Sequence, residues 1–194
     1  MSLAWQMCRL ADVPPVPWRN GGGITHELAA WPRLDDWQWR VSVAEVAQDG
    51  PFSRFEGVDR QFAVLSGAGV RLRFADQTFV LTVLDAPLAF SGEQACECHL
   101  LNGTTLDFNL MSRGLHAQMK RFTDGRGQLL AKAGDVVGCY ALAPTQVQVA
   151  DEVLLLPEHS LCWAWVQEAT QVQLSGPSCL GWTLTAGSES EGCA

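Results

Sequence analysis

A two-residue alternation of apolar and polar side chains recurs along most of this chain and constrains its fold more than any other feature. Trp37, Trp39, Val41 and Val43 fall on one face of an extended segment, and Gln38, Arg40 and Ser42 fall on the other. Val70, Leu72 and Phe74 alternate with Arg71 and Arg73, and Phe79, Leu81 and Val83 alternate with Thr78, Val80 and Thr82. Leu106, Phe108 and Leu110 oppose Asp107 and Asn109, while Leu161, Trp163 and Trp165 oppose Cys162, Ala164 and Val166. A helix turns about 100° per residue and would scatter these apolar groups around its circumference. Turn residues separate the runs at Asp49-Gly50-Pro51, Ser66-Gly67-Ala68-Gly69, Ser91-Gly92, Asn102-Gly103, Asp124-Gly125 and Ser175-Gly176-Pro177. The best helical competitor, residues 151–167, is interrupted by Pro157. Many short strands between tight turns predict an all-β sandwich or barrel.

Composition narrows the partners. The 194 residues suffice for one large domain or for two small ones that share a core. A hydrophobic fraction of 47% excludes an intrinsically disordered chain. The net charge is −8 and the only lysines are Lys120 and Lys132, so neither a nucleic-acid backbone nor an anionic membrane surface is an expected partner. Residues 1–13 carry Arg9 and Asp12 where a secretion signal would be apolar. With no export signal, the seven cysteines are expected as reduced thiols and the protein in the cytoplasm.

Metal and nucleophile chemistry lack their spacings. The four histidines, His26, His99, His116 and His159, form no His-x-His pair followed by Glu. In Cys96-Glu97-Cys98-His99 a strand would send both thiols to one face and the imidazole to the other, which favours two thiols packed as small apolar groups. No cofactor is expected. There is no Gly-x-Ser-x-Gly elbow, and Cys8, Cys139, Cys162 and Cys179 lie in apolar, strand-like stretches. The run Gly21-Gly22-Gly23 lacks the Gly-Lys-Ser/Thr of a phosphate loop. It forms either a nest of N–H groups for a carboxylate or a tight bend that lets two strands approach.

A weak internal repeat pairs Gly103–Leu110 with Gly176–Leu184, and Ala63-Val64-Leu65 with Tyr140-Ala141-Leu142. In the second copy Gly181 and Thr183 replace Asp107 and Asn109, so a duplication would leave chemistry in the first half and structural support in the second.

Four ordered blocks resemble the HutD/Ves family. They are Pro17-Trp18-Arg19-Asn20-Gly21-Gly22-Gly23, then Trp39–Val46 with Asp49-Gly50-Pro51-Phe52-Ser53-Arg54-Phe55, then Gly57-Val58-Asp59-Arg60 with Leu65-Ser66-Gly67, then Asp107–Arg113. The chain departs from the family at His26, where Arg is common, and at Gly114, where a second Arg often follows. The resemblance implies a metal-free bicupin of two fused cupin-like, jelly-roll lobes. Residues 1–122 are expected to form the first lobe with the ligand site, and residues 123–194 a supporting second lobe. It also implies a non-catalytic small-molecule-binding role that modulates histidine or amino-acid catabolism, with a small anionic metabolite such as a formylglutamate-like acid as ligand.

Within the blocks the candidate ligand-binding residues are Trp18, Asn20, Gly21, Gly22, Arg40, Asp59, Arg60, Asp107 and Asn109. On the lumen face of a barrel an arginine offers a carboxylate its fixed fork of donors. An Arg–Asp pair there could equally be structural. Two other function classes stay open: a metal-independent enzyme using Asp107 or Asp59 as general base, and an interaction module whose second lobe forms a homodimer surface.

Overall fold

Each alternating segment contains a strand in the computed structural model, which describes residues 3–187. The described residues form 19 strands and one 3-10 helix (Leu10–Asp12), arranged in four antiparallel sheets. The largest sheet has six strands in the order β2 (Val16–Pro17), β3 (Gly23–Pro32), β4 (Trp37–Val46), β11 (Thr105–Ser112), β6 (Asp59–Ser66) and β9 (Leu88–Ser91). Opposite it lie β5 (Gly50–Pro51), β10 (Glu97–Leu100), β7 (Val70–Arg73) and β8 (Thr78–Leu81), and these two sheets enclose the first lobe.

The second lobe repeats this arrangement. Its five-stranded sheet is ordered β1 (Gln6–Arg9), β17 (Ser160–Trp165), β14 (Val136–Ala141), β19 (Cys179–Ala186) and β12 (Leu115–Phe122). A four-stranded sheet of β13 (Gly125–Ala131), β18 (Thr170–Gly176), β15 (Thr145–Val149) and β16 (Glu152–Leu156) closes it. Residues 1–122 therefore include two strands, β1 and β12, that pair with β17 and β19 of the second half. Residues 151–167, where Pro157 interrupts the helical pattern, form β16 and β17.

Both large sheets are covered on both faces. Trp39, Val41 and Val43 of β4 join Phe108 and Leu110 of β11 in a core shared with Leu161, Trp163, Leu180 and Trp182 of the second lobe. The intervening residues point into the first lumen, where Ala44, Val46, Phe62 and Val64 meet Val70, Leu72 and Cys98. Cys139, Cys162 and Cys179 fill the second lumen with Val137, Val147 and Leu174. Trp37 departs from the expected alternation. The ladder slips between Trp31 and Pro32, and Trp37 packs with Val58 and Met111 rather than beside Trp39.

The two repeat segments become β11 and β19, both interior strands of the large sheets. Asp107 and Asn109 face the first lumen, whereas Gly181 stands against Leu174 and Phe122 in the second. A Cβ on Gly181 would lie 2.8 Å from each, so the second lumen is closed by apolar packing there.

Gly138 shows how close this packing is, because a Cβ there would overlap the Trp182 ring. Gly138→Ala is expected to cost about 1–3 kcal/mol by urea unfolding, as overpacking does in a filled core. Gly50→Ala is the control: nothing lies within 4 Å of its Cβ position, so its stability should stay close to the parent's.

Candidate functional site

The first lumen opens into a cavity of about 850 Å³, a size suited to a small organic ligand. Strand register arranges its floor in rows. Arg40, Met111 and Arg60 form one row across β4, β11 and β6; Ser42, Asn109 and Phe62 form the next; Ala44, Asp107 and Val64 form the third. Strand β3 adds Glu27 opposite Ser42 and Thr25 opposite Ala44. These side chains converge because residues two apart on a strand share a face and all three central strands curve over the same lumen.

Arg60 is only 5% exposed. Its Nη2 donates to Asn109 Oδ1 at 2.7 Å, its Nε has no partner, and no described carboxylate forms an ion pair with it. Phe52 and Phe90 cover the guanidinium at 5.1 and 5.0 Å from their ring centroids. Burial, with a smaller contribution from the nearby Arg40 charge, pulls its pKa down to about 10. Arg40 is differently placed. Its Nη1 donates to Glu27 Oε1 at 2.9 Å in an ion pair, while its Nε is also orphaned. Arg40 and Arg113 lie over Trp37 at 5.1 and 4.3 Å from its centroid. Burial lowers the pKa of Arg40 and Glu27 partly restores it. Arg60 is thus a desolvated cation with unused donors facing a cavity, which is what an anion site requires.

Asp107 is fully buried. Oδ2 accepts from Thr105 Oγ1 at 2.9 Å, but Oδ1 has no partner. Loss of solvation pushes its pKa up to about 7, against the opposing pull of the Thr105 hydrogen bond. An acid with a raised folded pKa binds more protons folded than unfolded, so its stabilising contribution is complete below the unfolded value near 3.8 and is lost as pH rises to about 7. Asp107→Asn is expected to flatten stability between pH 4 and 7 and to exceed the parent at pH 8, on the order of 2 kcal/mol. Urea unfolding at a series of pH values checks this; an unchanged slope would remove Asp107 as the titrating group.

Of the nine expected site residues, Trp18, Asn20, Arg40, Arg60, Asp107 and Asn109 line the cavity. Trp18 is held there by donating Nε1–H to Thr25 Oγ1 at 2.7 Å. Asp59 does not line it. It is exposed on the opposite face of β6 from Arg60, as adjacent strand residues must be. Gly21 and Gly22 are also outside, and they make no anion nest. Gly21 N–H donates to Trp18 O and Gly22 N–H to Asn20 Oδ1, so their donors are used within the bend. The run is a tight turn between β2 and β3, with Gly23 pressed so closely on Glu45 that no Cβ fits. No Arg–Asp pair forms in the lumen, since Asn109 and Glu27 are the arginines' partners.

Glu27, Thr25, Phe52, Phe55 and Met111 also line the cavity and were not among the expected residues. A sequence signal existed for the first two: Thr25 and Glu27 alternate with Ile24, His26 and Leu28. His26 points away, with Nδ1 2.7 Å from Val13 O. A second cavity of about 430 Å³ opens in the second lobe beside His116, Lys132, Asp135 and Thr183. Among the described residues no cluster of three or more His, Cys, Asp and Glu side chains is placed to hold a metal ion, and no helix is long and apolar enough to cross a membrane.

The HutD family model matches residues 10–181. The chain belongs to the HutD family. It is 38% identical over 150 residues to an uncharacterized 21.2 kDa protein in the hutC 3′ region of Pseudomonas putida, covering 75% of this chain and 78% of that one. It is 34% identical over 158 residues to protein Ves of Escherichia fergusonii, covering 78% and 81%. The solved structure of HutD from Pseudomonas fluorescens SBW25 (formate condition) superposes with a TM-score of 0.81 at 30% identity, covering 94% of this chain and 98% of that one. A cupin 2 conserved barrel domain protein from Leptotrichia buccalis shares the fold alone, at a TM-score of 0.56 and 8% identity over 96% and 98% of the two chains. The HutD fold of this chain is accordingly all-β and bicupin, with two cupin-like sandwiches.

Proposed function

We propose that this HutD-family chain binds a small anionic metabolite in the first-lobe cavity and thereby modulates histidine or related amino-acid catabolism without turning the ligand over. The observation that carries this reading is Arg60, a buried guanidinium with free donors and no carboxylate partner, in a cavity of about 850 Å³. Support for the pathway comes from the relatives' names, one placed in the hutC 3′ region and one called HutD, together with the family's tie to histidine utilisation. A formylglutamate-like acid fits the chemistry because its carboxylate matches the arginine fork.

Thermal unfolding in the presence of short carboxylic acids and N-acyl amino acids, formylglutamate included, tests the proposal. A ligand at ~100 times its Kd adds ~2.7 kcal/mol, a rise of roughly 5–10 °C for a chain of this size. The ligand should be recovered unchanged by NMR. An absence of any shift across the panel would overturn the reading. A second reading rests on Asp107, whose near-neutral pKa suits a general base. Consumption of a ligand by the parent, lost in Asp107→Asn, would favour that enzyme.

A further inference from the structure

Asp107 is a buried carboxylate with one oxygen, Oδ2, bonded to Thr105 and the other unpartnered. Oδ1 is buried and has no hydrogen-bond partner among the described residues, and the residue lines the cavity. The cross-strand neighbours are Ala44 and Val64, which offer no side-chain donor. An unpaired buried acceptor costs stability in the empty protein, and such orphans are tolerated where a ligand completes them. The arginine end of the cavity has a defined distance from this point. Arg60 Nη2 lies 2.7 Å from Asn109 Oδ1, so its guanidinium stands over the Asn109 row. Asn109 and Asp107 are two residues apart on β11 and share its lumen face, which separates their rows by about 6.7 Å.

We propose that Asp107 Oδ1 is a second subsite that accepts a hydrogen bond from an amide N–H, amine or hydroxyl of a ligand whose carboxylate is held at Arg60. The ligand class is therefore an acid with a donor about five bonds from its carboxylate carbon, since an extended chain advances about 1.2 Å per bond. A simple alkanoate fills the anion end and leaves Oδ1 orphaned. A ligand with a second carboxylate at that position meets Asp107 as a like charge. The inference rests on the anion-site reading above, and its test separates the two.

Glutaramate and 5-oxohexanoate have the same length and charge, but a methyl group replaces the amide NH₂ in the second. Their affinities for the full-length protein are measured by calorimetry at pH 8.5, where Asp107 is ionised because its pKa is about 7. Glutaramate is expected to bind about ten- to a hundredfold more tightly, as a hydrogen bond to a charged group implies. In Asp107→Ala, with Asp107→Ser as the alternative if the first fails to fold, the two acids should bind alike and within a few-fold of the parent's value for 5-oxohexanoate. Equal affinities in the parent overturn the subsite, and so does a preference that survives in the variants; both leave the anion reading standing. Failure of the parent to bind either acid overturns the anion reading instead.

Discussion

Arg60→Met is expected to remove much of the stabilisation by carboxylates while leaving the unliganded fold as stable as the parent or more so. Burial lowers the Arg60 pKa from 12.5 to about 10, so folding disfavours the charged form at every pH below 10. That corresponds to a penalty of about 3 kcal/mol across the physiological range. The flanking Phe52 and Phe90 rings offset part of it. Methionine keeps the unbranched stem as far as the Nε position and packs softly against the rings without the charge, and Asn109 can turn to water in the open cavity. Loss of one charge-assisted fork should weaken a bound carboxylate roughly ten- to a hundredfold. Arg40→Met makes the contrast, because it strands Glu27 and should destabilise the fold. Calorimetry and urea unfolding on both variants check these outcomes. A drop in stability of Arg60→Met beyond about 2 kcal/mol would make Arg60 a structural residue.

Trp39→Ala is expected to be the most damaging core substitution on β4. Trp39 is fully buried between the lobes, edge-on to Trp163 at 4.9 Å and 6.0 Å from Trp182. Truncating a buried tryptophan costs about 3–5 kcal/mol, or roughly 10 °C in Tm for a chain of this length. Its Nε1 has no hydrogen-bond partner, so the loss is one of packing and leaves no polar group stranded. Because strands from both lobes supply this core, both should still unfold in a single transition. Two resolved transitions in calorimetry would show that the lobes are stable separately, and a loss below about 1 kcal/mol would show that Trp39 contributes little to the shared core.

Much of the architecture was legible in the chain. Period-two alternation located β4, β7, β8, β11 and β17 and separated Trp39, Val41 and Val43 from Arg40 and Ser42. The same rule divides Asp59 from Arg60 onto opposite faces of β6, so one block of sequence cannot place both in one lumen. Glu27 shares the alternation of Thr25, but β3 is mixed in polarity and half-buried along most of its length, so the strand alone does not mark which face meets the lumen. Trp37 broke the pattern at a slip in the ladder, which no single strand announces.

Alternation is a property of one strand, because it follows from the pleat, and so sequence by itself determined the strands, their two faces and the all-β class. It could not say which face meets the other lobe and which lines a lumen, since both are buried and both carry apolar residues. Tertiary structure alone decided the partners. Arg60 and Asn109 are 49 residues apart and meet only through the β6–β11 register, while Glu27 reaches Arg40 across β3 and β4. The glycine donors were likewise assigned by the folded bend, which turns them onto Trp18 and Asn20 and away from any ligand. Register and closure are set by the sum of contacts over four sheets, and no local window of residues holds that sum.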